Sequence, residues 1–140
     1  MIYFAGSIRG GREDKRLYLY IIELLKSYGK VLTEHIGDTT ISDVGESIGE
    51  KDIHDRDVAW IKLADYFVAE VTTPSLGVGY EIGKATEWGK PVLCLFRPNQ
   101  DRSLSAMIAG CSEVILKEYT DINELKEIFR NFFGKERIEP

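Results

Sequence analysis

The sequence predicts a doubly wound α/β fold: a five-stranded parallel sheet of flavodoxin-like order, 2-1-3-4-5, with helices on both faces. Short apolar runs alternate with helix-periodic segments along the chain, joined by short connections. The run Pro91 to Phe96 is apolar almost throughout, as in parallel strands covered on both sides. Right-handed crossovers then place helices on both faces. At 140 residues the chain suits one domain with its own core.

In order, Ile2 to Ala5 is the first strand, and Gly6 to Arg12 a turn-forming loop. A helix over about Glu13 to Tyr28 carries Leu17, Ile21, Leu24 and Leu25 on one face, with Gly29 as its stop. Val31 to Ile36 is the second strand, and the acidic, aperiodic stretch Gly37 to Glu50 is expected to be a mobile loop near the site. A helix over Asp52 to Ala64 leads to the third strand, Tyr66 to Val71. A small-residue loop and a helix from about Val78 to Trp88 follow. Pro91 to Phe96 is the fourth strand, Arg97 to Arg102 a loop and Ser103 to Ala109 a short helix. Glu113 to Leu116 is the fifth strand, and Thr120-Asp121 caps a last helix to about Phe133. In this order strands one and three are neighbours. The loops after them, Gly6 to Arg12 and Thr72 to Gly79, therefore meet at one crevice.

Composition narrows the partners. A net charge of −5 argues against a nucleic-acid polymer, though not against one nucleotide held by a local cluster. The start, MIYFAGSIRGGRED, turns polar too soon for a secretory signal, and no apolar run is long enough for a membrane span. A cytoplasmic protein without a membrane partner is expected. Cys94 and Cys111 fit no metal or disulfide pattern and are expected to be buried thiols. No cofactor or metal is expected.

The stretch EVTTPSLGVGYEIG, Glu70 to Gly83, organises the rest. Pro74, Ser75, Gly77 and Gly79 are turn residues that leave backbone N–H groups facing a ligand, and the helix that follows suits an anion at its N-terminus. Glu81 then falls in the first helical turn. A carboxylate there has one plain explanation, the helix dipole. It has another in that Glu81 flanks the apolar stripe of Val78, Ile82 and Ala85 instead of pointing outward.

Asp57 raises the same question. It lies within the stripe of Ile53, Trp60, Ile61 and Ala64, where a lone carboxylate is costly unless paired, hydrogen-bonded or protonated. It is either a structural acceptor or a carboxyl lining the crevice. Two inward carboxylates at one crevice suit glycoside-type chemistry, with one attacking the anomeric carbon and the other serving the leaving group.

GSIRGGR (6–12), TEH (33–35), the helix with Asp57, PSLGVGYEIG (74–83), CLFRP (94–98) and SAMI (105–108) together resemble the 2′-deoxynucleoside 5′-phosphate N-hydrolases of the nucleoside 2-deoxyribosyltransferase superfamily. The likeness runs from Ile2 to about Gly110. It implies that Glu81 attacks C1′, forming a covalent 2-deoxyribosyl 5-phosphate intermediate that water resolves, and that Asp57 assists proton transfer. It implies a 5′-phosphate held by Ser75, the Gly77 amide, Gly6, Ile8 and Arg9. Ser105 and Met107 would come from the neighbouring subunit of a homodimer. Tyr3 aligns with a tyrosine beside the site; as a residue it is equally an ordinary strand aromatic. Arg9 and Arg12, seen alone, are solvated loop charges, and His35 and His54 are expected to be structural.

Two other readings stand. Base exchange between nucleosides is disfavoured by the phosphate-binding serines and Arg9. A non-catalytic nucleotide-binding module is disfavoured by two acids in an anion pocket.

Overall fold

A computed structural model describes residues 1–8, 11–33 and 48–134, with the backbone alone of Arg12. Four parallel strands form the sheet in the order β1 (Ile2–Gly6), β2 (Tyr66–Glu70), β3 (Val92–Phe96) and β4 (Val114–Glu118). On the outer side of β1, Val31 makes a parallel bridge to Ile2. The Ile2 N–H donates to the Lys30 carbonyl and the Ile2 carbonyl accepts from the Leu32 N–H, both at 2.8 Å, which leaves the other edge of β1 for β2. The predicted second strand is therefore a single bridge among the described residues, in the place the 2-1-3-4-5 order requires. The rest of that run, with His35 and most of the Gly37–Glu50 loop, lies outside the described residues.

Among the described residues five helices accompany these strands: α1 (Gly11–Lys26), α2 (Glu50–Leu63), α3 (Leu76–Glu87), α4 (Ala106–Ala109) and α5 (Glu124–Phe133). Strand alternation sorts the core into two layers. Ile2, Phe4, Val68, Leu93 and Leu95 face Leu17, Tyr18, Ile21 and Leu25 of α1 and Leu125 and Phe129 of α5. Tyr3, Ala5, Phe67, Ala69 and Cys94 face Ile61 of α2 and Val78, Ile82 and Ala85 of α3. Helices thus cover both faces, as predicted. Each fully buried aliphatic or aromatic side chain contributes about 1.5–3 kcal/mol.

Two predicted boundaries differ. Gly29 is not a left-handed stop; among the described residues the positive-φ glycines are Gly11, Gly89 and Gly134. The end of α1 is closed by Tyr28 N–H donating to the Leu25 carbonyl at 2.9 Å. Asp121 caps the turn leading into α5, as predicted: its Oδ1 accepts from the Asn123 N–H at 2.8 Å. In return the Glu124 carboxylate reaches back and accepts from the Thr120 and Asp121 N–H groups, at 3.1 and 2.9 Å. The second difference, the start of α3, changes the site.

Candidate active site

The predicted helix from Val78 begins two residues earlier, at Leu76, because Ser75 caps it: the Ser75 Oγ accepts from the Val78 N–H at 3.2 Å. Gly77 and Gly79 are therefore helical, and the Gly79 N–H is spent on the Ser75 carbonyl at 3.1 Å. The donors left without intrahelical acceptors are those of Leu76 and Gly77, in the first turn. Glu81 moves into the second turn, beyond the reach of the dipole. The plain explanation for its carboxylate is gone.

Another takes its place. Tyr3, stacked on Phe67 with ring centroids 5.2 Å apart, donates its phenolic O–H to Glu81 Oε2. The alternation along β1 that turns Tyr3 toward α2 and α3 makes this contact possible. Burial pushes the Glu81 carboxyl up to about 7; the Tyr3 hydrogen bond opposes that rise, the charge on Asp57 adds to it, and Arg56 opposes it. The Tyr3 phenol is itself pushed well above its ordinary range, by burial first and then by Glu81 and Asp57. Tyr3 thus stays a donor wherever Glu81 titrates.

Asp57 lies on α2 with its side chain 23% exposed, neither core nor surface. Arg56 holds it, with Nη2 and Nε at 2.9 and 3.0 Å from Asp57 Oδ1, while the guanidinium lies 4.8 Å from the Trp60 ring centroid. A cavity of about 300 Å3 is lined by Glu81 and Asp57 together with Gly77, Ile53, His54 and Tyr80. The convergence expected of the two carboxylates is present.

The predicted binding residues divide. Ser75, Ser105 and Met107 line a second cavity of about 540 Å3 on the other flank of the α3 N-terminus. Ser105 caps α4, accepting from the Met107 N–H at 3.2 Å, and Met107 is 82% exposed. Neither serine lines the cavity of Glu81; Gly77 does. Ile8 is half-buried after β1, and Arg9 lies outside the described residues. Gly6 has a packing reason to be glycine, since a Cβ there would stand 2.7 Å from Cζ of Tyr18.

Three features escaped the sequence. One is Arg56, which the helical wheel puts to the side but whose long stem folds back to Asp57. Another is His54: expected to be structural, it is half-exposed, with Nε2 2.9 Å from the Tyr80 hydroxyl. Its position one turn before Asp57 was the available signal. The last is Glu70, fully buried at the end of β2. It accepts from the Thr72 N–H at 2.7 Å, from the Thr72 hydroxyl at 3.0 Å and from the Tyr119 hydroxyl, with Arg97 Nε in ionic contact at 3.5 Å. Arg97 also bonds Asp14 at 3.3 Å, and Asp14 accepts from the Thr73 hydroxyl at 2.7 Å. This network fixes the two threonines just ahead of Pro74-Ser75, and so the start of α3.

The profile of the nucleoside 2-deoxyribosyltransferase family matches residues 2–126. The chain belongs to that family. Among curated relatives, the 5-hydroxymethyl-dUMP N-hydrolase of Tetraodon nigroviridis is 47% identical over 141 residues, covering 97% of this chain and 99% of that protein. The 5-hydroxymethyl-dUMP N-hydrolase of Mus musculus is 58% identical over 114 residues, 80% of this chain and 66% of the mouse protein. A solved structure, the Clostridium botulinum CMP N-glycosidase, superposes with a TM-score of 0.64 at 22% identity, covering 92% of this chain and 98% of that one, a likeness of fold. Among the described residues, no helix is long and apolar enough to cross a membrane.

Proposed function

We propose that this member of the nucleoside 2-deoxyribosyltransferase family hydrolyses the N-glycosidic bond of 2′-deoxynucleoside 5′-monophosphates, releasing a free base and 2-deoxyribose 5-phosphate. The observation that carries the reading is the one cavity shared by Glu81, Asp57 and the first turn of α3. The names of the mouse and Tetraodon relatives support the substrate class.

In the first step a Glu81 carboxylate oxygen attacks C1′ while the C1′–N bond breaks, and the departing base takes a proton by way of Asp57. In the second, water gives its proton to Asp57 and its oxygen to C1′, and the ester to Glu81 breaks. With a carboxyl near 7, Glu81 is partly ionised at neutral pH, and the Tyr3 hydrogen bond favours the charged form that attacks. Tyr3 thereby serves the nucleophile more directly than it serves the sugar or base. A 2-deoxy sugar lacks the electron-withdrawing hydroxyl that would oppose an oxocarbenium-like transition state.

The 5′-phosphate sits at the α3 N-terminus, on the Gly77 amide and the Ser75 hydroxyl, with Gly6, Ile8 and Arg9 of the first loop beside it. Ser75 Oγ spends a lone pair on Val78 N–H, so its O–H proton is free for a phosphate oxygen. Ser105 has the same arrangement with Met107 N–H. The protein works as a homodimer in which Ser105 and Met107 complete the neighbouring subunit's site; the exposed apolar pair Leu76 (97%) and Met107 (82%) supports a covering partner. The free thiols Cys94 and Cys111 suit a reducing cytoplasm.

The test is incubation with deoxynucleoside 5′-monophosphates, 5-hydroxymethyl-dUMP included, read by released base. Release is expected, with far slower attack on unphosphorylated nucleosides. Equal rates on deoxyguanosine and its 5′-monophosphate would remove the phosphate site, and transfer to an added base in preference to water would make it a transferase. For the shared site, a Glu81→Ala chain mixed with a Ser105→Trp chain should regain activity on subunit exchange, because one site of each heterodimer is wholly native. Exchange confirmed by mass without recovery would refute it.

A further inference from the structure

Lys51, Asp55, His54 and Tyr80 form a relay along the rim of the Glu81 cavity. The Lys51 ammonium pairs with the Asp55 carboxylate, and Asp55 Oδ1 lies 3.0 Å from His54 Nδ1. The other ring nitrogen, His54 Nε2, is 2.9 Å from the Tyr80 hydroxyl. A carboxylate can only accept, so in the neutral imidazole Nδ1 carries the proton and Nε2 keeps a lone pair. The Tyr80 O–H donates to that lone pair. What remains on the Tyr80 oxygen is acceptor capacity, on a side chain that is 49% exposed and lines the cavity.

The cavity has little room for ambiguity about what meets this oxygen. Gly77, at the helix start, takes the phosphate end, and Glu81 and Asp57 take the sugar. The wall left over is Glu50, Ile53, His54, Val58 and Tyr80, two apolar side chains and a polar edge that includes the Glu50 carboxylate. A nucleobase has that character, with apolar faces and hydrogen-bonding rims. Asp57, which delivers the proton to the departing base, lies one helical turn from His54 on the same helix.

We propose that Tyr80, oriented by His54, is a specificity-determining residue: its hydroxyl oxygen accepts a hydrogen bond from a donor on the leaving base, so the site favours bases bearing a hydroxyl or amino substituent on that edge. This rests on the hydrolase reading. It does not follow from it, because the two carboxylates would act on any base.

Two substrates that differ by one hydroxyl test it, 5-hydroxymethyl-dUMP and dTMP. The native protein should prefer the former in kcat/KM. Tyr80→Phe keeps the ring, and with it the contact of Lys84 5.4 Å from the ring centroid, while removing the oxygen. The preference should fall about tenfold, through loss on 5-hydroxymethyl-dUMP with dTMP unchanged. Inhibition by 2-deoxyribose 5-phosphate, which has no base, should not move. His54→Ala, which leaves the hydroxyl but not its orientation, should fall between the two proteins. An unchanged ratio, an equal loss on both substrates, or weaker inhibition by the sugar phosphate would overturn the inference and leave the hydrolase reading standing. Absence of turnover by the native protein on every deoxynucleotide would overturn both.

Discussion

Tyr3→Phe isolates what the buried phenol does for Glu81. The ring and its stacking on Phe67 stay; one hydrogen bond to the carboxylate goes. A hydrogen bond to a charged group contributes about 1.5–3 kcal/mol, and 1.36 kcal/mol corresponds to one pKa unit. The Glu81 carboxyl, already held at about 7 by burial, should therefore rise by about one to two units. The sign is clear: the hydrogen bond favours the charged form, so its loss favours the neutral one. If the ionised carboxylate attacks, the acid limb of kcat/KM moves to higher pH by that amount. At pH 6, where the ionised fraction is small in both proteins, Tyr3→Phe should be slower by about 10- to 100-fold. At pH 10, where both are ionised, the two should nearly coincide.

Base release measured from pH 5 to 10 gives the whole profile. Asp57→Asn is a control of opposite sign, since it removes a negative charge beside Glu81 and should lower the Glu81 midpoint even while turnover falls. A Tyr3→Phe profile that keeps the native midpoint would refute the reasoning. A uniform loss at every pH would show instead that Tyr3 acts on the substrate.

Other perturbations follow from the same geometry. Glu81→Gln should abolish turnover and raise stability at pH 8 more than at pH 4. A folded carboxyl raised from 4.5 to about 7 makes the fold costlier as pH climbs between those values, with a ceiling of roughly 3 kcal/mol, reduced by water in the cavity; thermal melts at the two pH values check it. Glu70→Ala should destabilise by about 3 kcal/mol or more in urea unfolding, because Arg97 loses a counter-ion and the buried Tyr119 hydroxyl loses its acceptor. Gly6→Ala should cost about 1–3 kcal/mol by driving a methyl into the Tyr18 ring, and the added substitution Tyr18→Leu should recover part of it.

Much of this was open to sequence reasoning because it depends on period. Alternation of apolar runs gave the parallel sheet, and the helical wheel put Asp57 and Glu81 on the inner sides of α2 and α3. The start of α3 was hidden because two glycines at positions 77 and 79 look like loop; the Ser75 cap and packing of Val78 and Ile82 outweigh their poor helix propensity. The place of His54 on the cavity rim was hidden for a different reason. The N-terminal part of α2 overhangs a cavity, and a periodicity within one helix carries no information about what stands opposite it.

The pleat of β1 accounts for the remaining difference. Tyr3 and Ala5 face α2 and α3, whereas Phe4 faces α1, and Gly6 follows Phe4 onto that side beneath Tyr18. Its register partner Glu70 follows Val68 to the same side, with Tyr119 and Arg97. The two ends of this motif therefore do separate work on opposite faces of the sheet. Tyr3 tunes the Glu81 carboxyl, while Gly6 and Glu70 hold the carboxyl ends of β1 and β2, from which both candidate ligand loops depart. Substitution at Gly6 or Glu70 should accordingly lower stability and turnover together and leave the pH midpoint alone. Substitution at Tyr3 should move the midpoint, and its cost in stability should appear only as pH rises through that midpoint.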